Sequence, residues 1–346
     1  MRDVVLYRKY RPKTFNEVLG QDQVVKTLEG ALKLGQISHA YLFAGSRGTG
    51  KTSVARILAR ELGTAEADLY EIDAASNRGI DDVRAIREAV STLPFESKYK
   101  IYIVDEVHML TKEAFNALLK TIEEPPPHVI FILATTEMEK LPETVVSRCQ
   151  VFQFRRPSQA MLKEMVARVA LAEGFSLEPE STGLIALLAD GSFRDAQGIL
   201  EKVISSSRDK KVSVEEVEMV TGAPRGKLIN DFLSALAGRD AAAGLKTVAL
   251  ALEADVDMKV FLKIALRKLR FVLLLRYARE METDIRKELS PEDFEFLKKL
   301  VERKDSQINA AALLELLNAY DLVNFSYLPQ LPIELAVVKL AGESAR

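Results

Sequence analysis

Five short apolar runs punctuate the first 157 residues: Ala40-Tyr41-Leu42-Phe43-Ala44, Leu69-Tyr70-Glu71-Ile72-Asp73, Lys100-Ile101-Tyr102-Ile103-Val104, Val129-Ile130-Phe131-Ile132-Leu133-Ala134 and Gln150-Val151-Phe152-Gln153-Phe154. Near-continuous apolar runs of four to eight residues predict strands buried on both faces. Between them the apolar positions switch to helical spacing. One helix is predicted from Gln21 to Leu34, stopping at Gly35, a good C-terminal glycine. Others are predicted from Ser53 to Arg60, from Ile80 to Thr92, and from Thr111 to Glu123, the last stopped by Pro125 to Pro127. The basic segment before Phe15 reads as irregular. Strands alternating with helices imply a parallel sheet with helices on both faces. Ligands on such sheets bind at the carboxyl ends of the strands.

After Pro157 the pattern changes. No further strand is predicted. Ser158 to Glu173, Pro179 to Asp190, Phe193 to Ser207 and Val214 to Val220 read as helices, and Thr221-Gly222-Ala223-Pro224 reads as a linker. From Gly226 onward the chain is helical and rich in Leu, Ala and Lys, with no fixed-period repeat. The expectation is an α/β nucleotide-binding domain over 1–157, a small helical lid domain over 158–222 and an all-α domain over 223–346.

Composition narrows the function classes. Charged residues make up 28% but nearly cancel, leaving a net charge of −2, so a wholly basic nucleic-acid protein is excluded while a local basic face is not. The single cysteine, Cys149, permits no internal disulfide. The amino-terminal segment lacks the apolar core of a signal peptide, and no apolar run is long enough to span a bilayer. A cytoplasmic protein with no membrane contact is expected.

The candidate chemistry starts at Gly45-Ser46-Arg47-Gly48-Thr49-Gly50-Lys51-Thr52, followed by Ser53, which fits the G-x-x-x-x-G-K-[ST] phosphate-binding loop without a mismatch. It lies between a predicted strand and a predicted helix, as that chemistry needs. Glycines let successive backbone N–H groups turn toward phosphate oxygens, and the helix N-terminus adds partial positive charge. Lys51 would reach the β- and γ-phosphates of ATP, and Thr52 would place its hydroxyl on Mg2+. The strand 100–104 then delivers adjacent carboxylates. Asp105 would hold the magnesium and Glu106 would polarise a water for attack on the γ-phosphate.

Asp105-Glu106-Val107-His108, with Thr136 ending the next strand, resembles the AAA+ ATPases. Within them the chain resembles the γ/τ subunits of the bacterial DNA polymerase III clamp loader. Tyr7-Arg8-Lys9-Tyr10-Arg11-Pro12, Glu71-Ile72-Asp73-Ala74-Ala75-Ser76, Phe115-Asn116-Ala117-Leu118-Leu119-Lys120-Thr121, Ser147-Arg148-Cys149 and Gly191-Ser192-Phe193-Arg194-Asp195-Ala196 carry the likeness. It covers the first two predicted domains densely and the last only in helical character. The resemblance implies that Thr136 positions the attacking water and that Arg148 is an arginine finger serving a neighbour's ATP. It implies that Arg194 senses this chain's own γ-phosphate, and that adenine lies near Val18 and Leu19. It further implies a hetero-pentamer with δ, δ′ and other γ/τ copies, a sliding clamp as partner, and primer–template DNA contacted through its backbone. Arg78, Arg84 and Lys140 are the candidate phosphate contacts.

The chain departs from the resemblance in two places. Family members carry four zinc-binding cysteines between the loop's helix and the second strand. Here Leu62-Gly63-Thr64-Ala65-Glu66-Ala67-Asp68 bridges that gap, and one cysteine cannot make a tetrahedral site, so no zinc is expected. The C-terminal extension of the τ form has no counterpart in the sequence. Competing expectations are a branch-migration AAA+ ATPase, a non-hydrolysing structural loader subunit resembling δ′, and a metabolic kinase. The intact Lys51-Thr52 and Asp105-Glu106 pairs, and the helical final third, speak against them.

Overall fold

In the computed structural model, residues 5–77, 79–207, 209–303 and 308–342 are described. The chain packs as two compact units. One comprises the residues up to Val169 together with Ala189–Glu201, and the other comprises Ala170–Leu188 and the residues from Lys202 onward.

The first unit is built on five parallel strands: β1 (Ala40–Ala44), β2 (Leu69–Asp73), β3 (Lys100–Asp105), β4 (Val129–Thr135) and β5 (Gln150–Gln153), in the order β2-β3-β4-β1-β5. Alternation along the central strands divides the interior into two layers. Leu42, Tyr102, Val104, Phe131 and Leu133 face one core, which includes Val83 and Val90 of helix Ile80–Val90 and Leu118 and Ile122 of helix Lys112–Glu123. Tyr41, Phe43, Ile101, Ile103, Ile130 and Ile132 face the other, against Val24 and Leu28 of helix Asp22–Leu34 and Val54, Ile57 and Leu58 of helix Lys51–Glu61. The helices begin and end for local reasons. Thr111 accepts a hydrogen bond from the Ala114 N–H at 3.2 Å, capping the helix that follows it. Gly35 ends its helix in the left-handed region at φ 66°.

The amino-terminal segment is not irregular. Leu6–Lys9 forms a helical turn and Phe15–Glu17 a 3-10 turn, because Leu6 and Phe15 find buried positions that give a short basic stretch something to fold against. Two further strands also form in the second unit, Ser176–Leu177 pairing in parallel with Lys211–Val212. Each is two residues long, too short to leave a period in the sequence.

The bridge over 62–68 ends in a carboxylate clasp. Asp68, 1% exposed, accepts backbone N–H bonds from Phe95 (2.5 Å), Glu96 (2.8 Å) and Ser97 (2.8 Å). Burial alone would raise its carboxyl, but the three N–H donors outweigh it and hold the group at about 2. A carboxyl whose folded value lies below its unfolded value of 3.8 stabilises the fold above that value. The contribution disappears as pH falls through about 2. Asp68→Asn is therefore expected to cost about 2 kcal/mol at pH 7, with the deficit shrinking between pH 4 and about pH 2. Urea unfolding of both proteins across that range checks this, and a pH-independent difference contradicts it.

The second unit is helical. Phe232, Phe261, Leu269, Phe294, Leu316 and Ile333 centre its core, with the Phe232 and Phe261 rings edge-on at 5.0 Å. Helix Met258–Tyr277 contains the apolar run Phe271–Leu275 and no helix in the described residues is long and apolar enough to cross a membrane. Its Lys268 is buried, paired with Asp293 at 2.7 Å and donating to Asn230 at 2.9 Å. Burial lowers the Lys268 ammonium against the pull of Asp293.

Candidate nucleotide-binding site

The phosphate loop leaves β1 and enters helix Lys51–Glu61 with Gly45, Gly48 and Gly50 all at positive φ. At Gly45, φ 153°, a Cβ would sit 2.4 Å from the Phe154 carbonyl oxygen. At Gly48, φ 74°, it would sit 1.9 Å from Ser192 Oγ. The close approach at Gly48 also lets its carbonyl accept the Phe193 N–H at 3.0 Å, which docks the start of helix Phe193–Ser206 on the loop. Thr49 Oγ1 donates to the Ser46 carbonyl at 2.9 Å, and the buried Gln21 amide donates to the Arg155 carbonyl (2.8 Å) and the Thr49 carbonyl (3.4 Å). The loop is thus braced from its own residues and from two other segments.

Loop, strand ends and helix together line a cleft of about 940 Å3. Arg47, Gly48, Thr49, Gly50, Lys51, Thr52 and Ser53 form one wall, Asp105 and Glu106 a second, and Val18, Leu19 and Arg194 others. Gly45 and Ser46 take part through their carbonyls, which accept bonds from Lys51 Nζ at 2.7 and 3.0 Å. Lys51 is 5% exposed; burial lowers its ammonium, opposed by the carboxylates of Glu106 and Asp105. A cation so held, facing two acids, suits a strongly anionic ligand.

Thr52 Oγ1 donates to Asp105 Oδ2 at 2.8 Å, joining the two oxygen donors the sequence assigned to one metal. A hydroxyl and a carboxylate at this spacing suit Mg2+, which takes oxygen ligands and keeps several of its waters. Glu106 sits past the end of β3 with φ 49°, a left-handed conformation uncommon outside glycine. Its Oε2 accepts from Thr136 Oγ1 at 2.9 Å and the Thr136 N–H at 3.2 Å. The residue expected to act on water and the residue expected to place that water are therefore directly bonded.

Arg194 lies over the ring of Tyr7 at 4.8 Å, with both lining the cleft. Arg148 is not among the lining residues. Its guanidinium reaches Glu123 Oε1 at 3.0 Å and the Thr144 carbonyl at 2.7 Å, half exposed. Arg84 is exposed and paired with Asp81 at 3.0 Å, and Lys140 is exposed and paired with Glu137. Arg78 lies outside the described residues. Arg84 and Lys140 each pair within their own segment, three residues away.

Sequence reading left several neighbours without a role. Gln21, Tyr7, Arg168 and Gln197 shape or line the cleft, and only their three-dimensional convergence marks them. His108, in the Asp-Glu-Val-His run, has no role that its sequence position alone assigns. Cys149 is partly buried, and burial pushes its thiol up to about 11, so it offers no ready nucleophile.

The family model described as DNA polymerase III, delta subunit, matches residues 20–78 and 64–158. The DNA polymerase III subunit tau of Bacillus subtilis is 38% identical across 98% of this chain, and the chain spans 63% of that relative's length. The subunit tau of Escherichia coli is 41% identical over 63% of the chain and 37% of its own length. Among solved structures, the Thermotoga maritima RuvB Holliday junction branch migration motor superposes with a TM-score of 0.53 at 24% identity. It covers 66% of this chain and 79% of its own, a likeness of fold: an α/β domain with helical segments following.

Proposed function

This chain belongs to the γ/τ subunit family of DNA polymerase III, and from that membership we propose that it is an ATP-hydrolysing subunit of a clamp loader. In this reading ATP turnover opens a sliding clamp and sets it on primed DNA. The observation that carries it is the pairing of Glu106 with Thr136 in the same cleft as Lys51 and the Thr52–Asp105 pair. Lys51 opposes the charge of the phosphates. Val18 and Leu19 supply apolar contact for the adenine. Glu106 takes a proton from the attacking water, held in direction by Thr136. Arg194 reads the γ-phosphate from helix Phe193–Ser206. Thr52 and Asp105 would hold Mg2+, which would supply neutralisation of the phosphate charge.

We place the partners by the same reading: δ, δ′ and further copies in a hetero-pentamer, with Arg78, Arg84 and Lys140 toward DNA phosphates. Exposed apolar side chains on the helical unit, Phe325 and Tyr327 at 87% and 92% and Leu314, Leu335 and Val338 in part, favour association. The domain roles follow the division at 157 and 222. The reading includes no zinc, since one cysteine cannot make a tetrahedral site. The branch-migration alternative rests on fold likeness alone, whereas 38–41% identity links the chain to γ/τ subunits.

Isothermal titration with ATP and Mg2+ tests the site. Wild type is expected to bind, and Lys51→Ala to lose binding beyond detection, because the point charge facing the phosphates is gone. Equal affinities contradict the assignment, as does stoichiometric zinc in the same preparation.

A further inference from the structure

His108 is the one buried histidine that touches the carboxylate assigned to water activation, yet nothing above uses it. Its side chain is 5% exposed. Its Nδ1 lies 3.0 Å from Thr135 Oγ1 and 3.4 Å from Glu106 Oε2. Its Nε2 lies 3.8 Å from Glu137 Oε1. Thr135, itself fully buried, accepts the Glu137 N–H at 3.0 Å, so the imidazole is fixed from both ends by one loop. Glu137 in turn is paired with the exposed Lys140.

This geometry answers a question that the Glu106–Thr136 bond leaves open. A carboxylate that abstracts a proton needs one oxygen free toward water while the other is held. Glu106 sits on a left-handed backbone, and Thr136 grips Oε2 through its hydroxyl and its N–H. His108 reaches the same oxygen from another side, on a 3-10 turn (Val107–Met109) whose buried Val107 is packed in the sheet's core. Thr136 bonds Oε2 and the imidazole backs it, an arrangement that leaves Oε1 for the water.

We propose that His108 is a positioning residue for Glu106: wedged between the Glu106 and Glu137 carboxylates and seated on Thr135, it holds Oε2 so that Oε1 points at the attacking water. The inference rests on the ATPase reading for its kinetic consequence, but not for its geometry. Nδ1 bonds Thr135 Oγ1 and lies 3.4 Å from Glu106 Oε2, so in this proposal the side chain matters by the place of that nitrogen and not by its bulk. Asparagine offers an N–H close to the place of Nδ1. Leucine fills the space without one. Lys140 lies at the outer end of the row and pins Glu137, which keeps the second carboxylate beside Nε2.

The test compares His108→Leu and His108→Asn with wild type in the full chain, under assembly conditions in which wild type turns over. His108→Leu is expected to lower kcat on the order of 10–100-fold with ATP affinity unchanged, the scale of a misaligned reacting group. His108→Asn is expected to recover most of that loss. A His108→Leu variant at the wild-type kcat overturns the proposal, and so do two equally defective variants that melt like wild type. A second readout needs no turnover. With only three histidines, His39, His108 and His128, the His108 imidazole nitrogens are assigned by their loss in His108→Asn. Their chemical shifts are expected to move in Glu106→Gln and in Thr135→Val, and unchanged shifts in Glu106→Gln overturn the contact. A wild type that binds ATP but never hydrolyses it defeats the ATPase reading, while the spectrum still decides His108.

Discussion

Arg148→Ala is expected to lower ATP hydrolysis by the assembled loader about 10³–10⁵-fold, the range for arginine fingers, while leaving ATP binding by the isolated chain nearly unchanged. The unchanged binding follows from where Arg148 sits, and the lost turnover from the proposed role in trans. It is absent from the lining of its own chain's cleft and is held at the surface by Glu123 and the Thr144 carbonyl. Half exposed, that ion pair is screened by solvent and costs little to exchange for a phosphate. A planar guanidinium delivered to a neighbour's γ-phosphate offsets charge that appears only as the bond breaks. Complementation separates this from an action within the chain. Mixed assemblies of Arg148→Ala and Lys51→Ala subunits contain interfaces that pair an intact Arg148 with an intact Lys51, so partial activity is expected to return. A dead mixture in which assembly is demonstrated contradicts action in trans. Loss of the isolated chain's basal turnover in the same proportion does so as well.

Glu106→Gln carries the second large effect. The amide retains the shape and one acceptor oxygen, so the bond from Thr136 Oγ1 and the line of the cleft survive. ATP is expected to bind with wild-type affinity. Hydrolysis is expected to fall about 10²–10⁴-fold, the contribution of a positioned general base. Single-turnover quench with a slight excess of protein over ATP measures the chemical step apart from product release. Full single-turnover hydrolysis by the variant removes Glu106 from the role. A large loss of ATP affinity instead assigns it to binding.

Much of this was legible before any coordinates. The phosphate loop, the acid pair and Thr136 were visible because each sits at a strand's carboxyl end. The five strands announced themselves as apolar runs; their two-residue counterparts at Ser176–Leu177 and Lys211–Val212 did not, since no period fits in two residues. The helical turn at Leu6–Lys9 was hidden by its charge, with a single buried leucine as its anchor. The roles of Gln21 and Tyr7 depend on chain segments more than a hundred residues apart. Gln21 bonds Arg155, and Tyr7 lies against Arg194. No local pattern encodes such pairings. His108 was visible as a letter in the acid run, but its meaning came from Thr135 and Glu137, which the end of β4 brings beside it. For Arg148 the reverse holds. Resemblance gave it a role, and the contacts within one chain give it none.

On the proposed reading, this cleft turns over ATP in the service of a clamp and primed DNA. The most direct measurement is steady-state ATP hydrolysis by the chain assembled with δ and δ′, with and without the sliding clamp and a primed template. The account predicts slow turnover alone, a marked rise when both clamp and primed DNA are present, and no turnover under any condition with Lys51→Ala. A wild-type rate indifferent to clamp and DNA, or stimulation that survives in Lys51→Ala, contradicts it.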